Sequence, residues 1–123
     1  MIAADSSAWI DHLSGRKTDN VAKVRNALAD HRLVLPSPVQ FELLSGPDTP
    51  IGIYQALLRL PCLEIDGTFW QRAAELRRTL LRRGSRARSI DCLIAQNCID
   101  HNVALIAEDD DFKNFTKAGL ILA

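Results

Sequence analysis

The stretch MIAADSSAWIDHL, residues 1–13, decides the fold that the sequence predicts. It opens with a short apolar run that ends at Asp5, and the apolar residues after Ser7 recur at helical spacing. Aspartate and serine are favoured at helix N-termini, so Asp5-Ser6-Ser7 marks the change from a buried strand to a helix. The chain therefore begins with a strand that leads directly into a helix.

The same strand-to-helix step recurs along the rest of the chain. Further strands are predicted at 33–35, 62–65, 103–107 and 120–122, and further helices at 21–31, 38–44, 51–60, 68–83 and 89–101, with Ser89 as a cap. Short apolar strands that alternate with helices indicate a parallel sheet covered on both faces, because each parallel crossover needs a helix. The sequence therefore predicts an α/β fold, and its 123 residues suit a single domain, 1–123.

Bulk composition fits a cytoplasmic protein but selects no partner. Fifteen basic and fifteen acidic side chains cancel, so the net charge neither favours nor excludes nucleic acid. The three cysteines lack CxxC spacing and the three histidines lack the paired spacing of a zinc site, which indicates thiols in a reducing compartment and no zinc. We expect no signal peptide and no membrane span, because no apolar run is long enough.

Four acidic residues are expected to meet at one edge of the sheet. Ligands of open parallel sheets bind beyond the carboxyl ends of the strands. Asp5 follows the first predicted strand, and Asp109 lies in the acidic run after the fourth. Asp91 lies in the first turn of a helix that starts near the same edge, and Glu42 lies, half-buried, early in the helix after the second strand. We therefore expect these four carboxylates to be neighbours.

Clustered carboxylates repel one another, so a fold tolerates them only with compensation. Two carboxylates about 4 Å apart repel by roughly 1 kcal/mol in water and by about 4 kcal/mol at an effective dielectric constant of 20. Protonation, basic partners or a divalent cation could each relieve this repulsion. Oxygen ligands on short side chains suit Mg²⁺ or Mn²⁺, which also bind phosphate oxygens. Such a cation would favour hydrolysis of phosphodiester bonds.

Each acid also has a purely structural interpretation. Asp5 could cap a helix, and Asp91 could complement the dipole of another. Glu42 could pair with an arginine, and acidic runs such as residues 108–111 are commonly solvated turns. The joint placement of all four at one sheet edge favours the metal site over these separate roles.

Four segments that hold these acids form a pattern: MIAADSSAWID (1–11), PSPVQFELLSG (36–46), RARSIDCLIAQNC (86–98) and VALIAEDDDF (103–112). In order, they resemble the opening Asp-Ser/Thr-Ser segment, the glutamate helix and the third and closing acidic segments of the PIN domain family. Within that family the resemblance is to the VapC-type toxins. Order and separations also match, so the resemblance covers essentially the whole chain.

The resemblance implies metal-binding or catalytic roles for four residues, Asp5, Glu42, Asp91 and Asp109. Asp111 is the alternative to the last of them. Ser7 matches the family's supporting hydroxyl, although a serine there also suits a helix N-terminus. The family often has Ser or Thr two positions before the last acid, where this chain has Ala107. The missing hydroxyl bears on the strength of metal binding and not on the assignment of the acids.

The same resemblance implies the fold, the activity and the partners. The implied fold is a three-layer α/β/α arrangement with a central, mainly parallel sheet of four to five short strands. The implied activity is that of a Mg²⁺- or Mn²⁺-dependent endoribonuclease that acts as the toxin of a toxin–antitoxin module. The implied partners are an RNA substrate of the tRNA or rRNA class, a cognate antitoxin protein and a second copy in a homodimer.

Basic residues are concentrated in one stretch. Seven arginines lie at positions 72, 77, 78, 82, 83, 86 and 88, against the single acid Glu75. Arginine binds phosphate in a bidentate manner, so a basic strip that leads to an acidic metal site would hold an RNA backbone. Arg86 and Arg88, just before Asp91, are the candidates for RNA binding. The other arginines could form the solvated face of a helix or contact an acidic antitoxin tail.

Two other function classes remain open at this point. A phosphoacceptor receiver domain is also α/β and gathers acids around Mg²⁺, and Asp66 after the third strand could be its acceptor. Such domains have two adjacent acids after the first strand, however, whereas Asp5 is followed by serines. A non-catalytic module that binds RNA or a protein would use the arginines but leave the buried acids unexplained.

Overall fold

The computed structural model describes residues 1–123 and has a four-stranded, fully parallel sheet. Its strands are β1 (Ile2–Ala4), β2 (Leu33–Pro36), β3 (Cys62–Leu63) and β4 (Ala104–Ile106). They lie in the order β3-β2-β1-β4. The register pairs Ala3 with Val34 on one side and with Leu105 on the other. The predicted α/β class with a parallel sheet is confirmed.

Helices connect every pair of successive strands. They are α1 (Ser6–Leu13), α2 (Asp19–Ala29), α3 (Ser37–Leu44), α4 (Ile51–Leu58), α5 (Phe69–Arg82) and α6 (Ser89–His101), and a 3-10 helix, Asp110–Ala118, follows β4. Two helices separate each strand from the next in the chain, which provides the crossover that a parallel pair needs. None of these helices is both long and apolar enough to cross a membrane.

The sheet is buried on both faces. Successive residues of a strand point to opposite faces, and the consecutive residues Leu33, Val34 and Leu35 are all buried, as are Ala3 and Ala4. They belong to one core cluster of 25 buried residues, to which α2, α6 and the 3-10 helix contribute Val24, Ile94 and Phe112 among others. This burial on both faces is the reason that the strands are continuously apolar in sequence.

The strand order creates a crevice at the carboxyl edge of the sheet. From β1 the chain proceeds through β2 to β3 on one side, and then returns to place β4 on the other side of β1. The segments that follow β1 and β4 therefore lead away in different directions, and ligands of open α/β sheets bind at such a point. Asp5 and Asp109 lie in these two segments.

Apart from shifts of one or two residues at element ends, the structure differs from the sequence-based expectation in four places. The predicted third strand at 62–65 is shortened to Cys62–Leu63. The predicted final strand at 120–122 is reduced to a single bridge between Leu122 and Leu105. The acidic run does not end in an open turn, because Asp110 begins a 3-10 helix. Ser89 is the first residue of α6 rather than its cap; Arg88 occupies the N-cap position, with no side-chain hydrogen bond to the helix.

Candidate metal centre

A small cavity of about 110 Å³ lies at the carboxyl edge of the sheet. Its lining residues are Asp5, Ser6, Ser7, Glu42, Arg88, Ile90, Asp91, Ile94, Asp109 and Phe112. The cavity thus brings together the four acids selected from the sequence, although they are up to 104 positions apart in the chain. Ile90, Ile94 and Phe112 form apolar parts of its wall, which strengthens electrostatic interactions between the charged groups.

Asp5 is fixed by backbone groups from two segments. Its Oδ1 accepts from the N–H of Ala8 at 2.8 Å, which caps α1. Its Oδ2 accepts from the N–H of Glu108 at 2.9 Å and from that of Asp109 at 3.4 Å. Burial raises the pKa of Asp5, although these three hydrogen bonds oppose the shift. A carboxylate has about four lone-pair sites, so Asp5 retains a place for one further ligand.

Asp91 is the acid in the cavity whose charge is least compensated by its surroundings. It lies in the first turn of α6 and is only 8% exposed, and its buried Oδ2 has no hydrogen-bond partner. Burial raises its pKa to about 6; the charges of Asp109, Asp5 and Asp111 add to the shift, and Arg88 opposes it. An unpartnered, buried and repelled carboxylate is costly to the fold unless a cation or a proton joins it.

Glu42 is oriented by a residue that the sequence did not single out. The hydroxyl of Ser6 donates to Oε1 of Glu42, which links the start of α1 to α3. Ser7, the expected supporting hydroxyl, lines the cavity and is exposed, and it makes no hydrogen bond to any of the four acids. Ser6 could have been identified from its position directly after Asp5. It is the first residue of a helix that starts at the sheet edge, and its side chain there contacts the neighbouring helix α3.

Two arginines accompany the acids at the rim of the cavity. Nη1 of Arg88 lies 3.8 Å from Oδ2 of Asp109, and Nε of Arg86 lies 3.6 Å from Oδ2 of Asp111. Oδ1 of Asp109 also accepts from the N–H of Asp111 at 2.9 Å and so caps the 3-10 helix. Asp111 does not line the cavity, but it is near enough for its charge to raise the pKa of Asp91.

The residues of the cavity fit a divalent cation. No three of the carboxylates converge as closely as the ligands of one ion do. The donor set is nevertheless entirely oxygen, which suits Mg²⁺ or Mn²⁺ rather than zinc. The unpartnered Oδ2 of Asp91 is the observation that favours a cation, because an added positive charge would supply its missing partner and relieve the repulsion. The arginines relieve it only in part, from the rim.

The remaining residues considered from the sequence lie outside this cavity. Asp66 is exposed and bonds to Thr68 and Arg72, so it takes no part in the acidic cluster.

Buried Asn97 was not predicted; its Oδ1 accepts from the N–H of Ser37 and its Nδ2 donates to the carbonyl of Glu64. Asn97 thereby anchors the start of α3, the helix that carries Glu42, to α6, which carries Asp91.

Comparison with known proteins identifies a family whose sequences this chain resembles. The family model of the PIN domain matches residues 2–118. A VapC ribonuclease from Mycobacterium bovis and ribonuclease VapC11 from Mycobacterium tuberculosis are each 32% identical over 119 aligned residues, covering 91% of this chain and 89% of the relative.

Two solved structures share the fold. VapBC2 from Rickettsia felis, bound to a DNA fragment from its promoter, matches with a TM-score of 0.74 at 21% identity, over 100% of this chain and 98% of the other. FitAcB from Neisseria gonorrhoeae matches with a TM-score of 0.71 at 16% identity, over 99% and 96%. At these identities the likeness concerns the fold alone.

Proposed function

Because this chain belongs to the PIN domain family, and within it to the VapC group, we propose that it is a divalent-metal-dependent endoribonuclease that acts as a toxin. The observation that carries the proposal is the cavity in which Asp5, Glu42, Asp91 and Asp109 meet, with one buried oxygen of Asp91 left without a partner. The relatives of this chain are named ribonucleases, which supports RNA as the substrate.

The four acids would hold Mg²⁺ or Mn²⁺. When bound, such an ion lowers the pKa of a coordinated water and neutralises charge on the phosphodiester that is attacked. Asp91 and Asp109 would supply oxygens from the first turn of α6 and from the N-cap of the 3-10 helix, and Asp5 has one lone-pair site left for the ion. Ser6 holds the Glu42 carboxylate in place through its hydroxyl. Ala107 offers no side-chain hydroxyl near the last acid.

Arg86 and Arg88 would bind the RNA backbone beside the cation. Both side chains are more than half exposed and lie more than 3.5 Å from their acidic partners, so they can turn to a phosphate at little cost. Arginine binds two phosphate oxygens at once, which would hold the scissile bond at the mouth of the cavity. Within RNA, we propose a substrate of the tRNA or rRNA class, as the VapC group implies, and a cytoplasmic location.

An antitoxin would occupy the apolar groove next to the acids. A cavity of about 610 Å³ is lined by residues of α1, α3, the segment between α3 and α4, and the first turn of α4, among them Ile10, Leu13, Leu43 and Ile53. Ile10 is 55% exposed, and Glu42 lies at the edge of this groove. A helix that buried the groove would therefore also cover the acidic cavity, which provides a direct route to inhibition. The two-component VapBC2 complex supports such a partner.

A second copy of the chain would cover another apolar cleft. This cleft, about 360 Å³, is lined by Ser37, Pro38, Phe41, Ile65, Trp70, Ile90 and Leu93. Phe41 and Trp70 are 68% and 60% exposed. Large aromatic side chains contribute strongly to the affinity of protein–protein interfaces, so their exposure here indicates a surface that a partner covers. We propose that they form the centre of a homodimer. Trp70→Glu should then shift the chain from dimer to monomer in light scattering, and an unchanged mass would contradict this interface.

The two alternative functions, a receiver domain and a non-catalytic binding module, fit the chain less well. Membership of the PIN domain family rules out a receiver domain, in which Asp66 would have been the acceptor. A non-catalytic module would leave the acidic cavity without a role.

An RNA cleavage assay tests the proposal. We expect the pure chain to cut total RNA in the presence of Mn²⁺ or Mg²⁺, and to stop when chelator is added. Asp91→Asn should remove cleavage, whereas Asp110→Asn, which changes a carboxylate with 90% side-chain exposure on the same segment as Asp109, should not. Binding of RNA without any cleavage across tRNA and rRNA would overturn the enzyme assignment.

A further inference from the structure

A second polar cavity, of about 140 Å³, lies between the end of α5 and the 3-10 helix. Apart from Leu80 its lining is polar: Arg83, Ser85, Lys113, Asn114, Thr116 and Lys117. Three of these six side chains are cationic and none is acidic. We refer to it as the basic cavity. The metal, the antitoxin and the homodimer proposed above do not use it.

The chemistry of the basic cavity suits a phosphate group. Arg83 and Lys117 form no ion pair, so their charges are available, and Lys113 pairs only with Asp110 at 3.3 Å between two exposed side chains. Such an exposed pair is weak and can exchange partners. The half-buried Ser85 and Asn114 add a hydroxyl and an amide that can donate to phosphate oxygens. A small space with several donors and no acid fits one phosphate better than an apolar or cationic ligand.

The basic cavity is connected to the acidic cavity by the segment from Arg83 to Arg88. Nδ2 of Asn114 donates to the carbonyl of Arg86 at 3.3 Å, which fixes this segment against the 3-10 helix. Arg86 then faces Asp111, and Arg88 lines the acidic cavity. Five residues span at most about 17 Å. A single RNA strand can follow this row of cations and reach both cavities within a few nucleotides.

We propose that the basic cavity binds a backbone phosphate of the RNA strand a few nucleotides from the bond that is cut. This inference rests on RNA as the substrate. The site would hold the strand without reading its sequence, because phosphate contacts position a nucleic acid and base contacts specify it. It would thereby help to set which bond of a bound strand lies over the acids.

Binding of a labelled single-stranded RNA of mixed sequence, measured by anisotropy without metal, tests this site. The variant Arg83→Gln/Lys113→Gln/Lys117→Gln should bind more weakly, and its slope of log K against log salt should be shallower by about 0.7, the contribution of one single-strand phosphate. The matched control Lys17→Gln/Arg25→Gln/Arg59→Gln removes the same charge from exposed positions elsewhere and should keep the wild-type slope. Equal slopes for both triple variants would overturn the site.

Two further comparisons make the result specific. Ser85→Glu places an acid in the basic cavity without removing a cation, and it should reproduce the loss of RNA affinity with an unchanged melting temperature. If the triple variant instead binds RNA normally but loses affinity for polyglutamate, the cavity takes an acidic protein segment and our proposal is wrong. Because no cleavage is measured, failure here is distinct from failure of the nuclease assignment, which appears as intact RNA in the presence of metal.

Discussion

The carboxylate of Asp5 accepts a hydrogen bond from the backbone N–H of Glu108 at 2.9 Å, and this contact joins the segment that follows β1 to the segment that follows β4. The same side chain caps α1 through Ala8. Asp5 therefore stabilises the crevice in addition to any role towards a metal. Asp91 contrasts with it, because its buried Oδ2 has no partner. The two acids should behave oppositely when their charge is removed.

Asp5→Asn should destabilise the protein. An asparagine amide presents one acceptor oxygen and an NH₂ group, so backbone N–H groups of Glu108 and Asp109, or of Ala8, would lose their acceptor. Leaving a buried donor unsatisfied costs about 1 to 3 kcal/mol. Urea unfolding measures the change, with Asp110→Asn as the exposed control. Unchanged stability in Asp5→Asn would show that these hydrogen bonds carry little free energy.

Asp91→Asn should stabilise the protein at neutral pH. Burial and neighbouring acids raise the pKa of Asp91 from 3.8 to about 6, so the folded state holds this proton more tightly than the unfolded state does. The resulting stability is fully present below the unfolded pKa and is lost as pH rises to about 6. The free energy of unfolding of the variant should therefore exceed that of the wild type by roughly 1 to 3 kcal/mol above pH 6, and the two values should be equal near pH 4. A lower melting temperature for the variant at pH 8 would contradict this prediction.

Ser6→Ala should reduce the cleavage rate more than Ser7→Ala does. The Ser6 hydroxyl donates to Glu42, whereas Ser7 bonds to none of the four acids. Without that hydrogen bond, Glu42 is free to adopt other rotamers, and we expect kcat to fall several-fold with little change in KM. Single-turnover cleavage of one RNA substrate measures both variants. The reverse order would favour Ser7 as the supporting hydroxyl that the family pattern suggests.

Arg86→Ala plus Arg88→Ala should weaken RNA binding and flatten its salt dependence. Each phosphate contact with a single strand contributes about 0.7 to the slope of log K against log salt, so the slope should fall by about 1.4. Arg78→Ala plus Arg82→Ala provides a control on the exposed face of α5. If the control alters the slope as much as the test pair does, RNA is held by diffuse charge rather than at the rim of the acidic cavity.

The sequence was most informative where periodicity was strong and where strands were fully buried. Helix α6 spans Ser89–His101, within a residue of the predicted bounds, because its apolar stripe is a local feature. The 3-10 helix was missed because its first residues, Asp110 and Asp111, belong to an acidic run that is typical of a turn. Phe112 and Phe115, three residues apart and both buried, were the signal for it.

Parts of the candidate site depend on contacts that no local pattern contains. The edge of the sheet that holds the site could be derived from the carboxyl ends of the predicted parallel strands, which Asp5 and Asp109 follow. The hydrogen bond from Ser6 to Glu42 and the missing partner of Asp91 arise only when α1, α3 and α6 are packed together. The sequence could therefore predict which residues meet, but not which of them are satisfied.

Manganese binding tests the central claim most directly. Calorimetric titration of the wild-type chain at pH 7.5 should show Mn²⁺ binding that is abolished in Asp91→Asn, strongly weakened in Glu42→Gln and retained in Asp110→Asn. Since Asp91→Asn is expected to be the more stable protein, loss of binding there cannot be attributed to unfolding. Unchanged Mn²⁺ binding in Asp91→Asn and Glu42→Gln would show that the acidic cavity does not hold the cation.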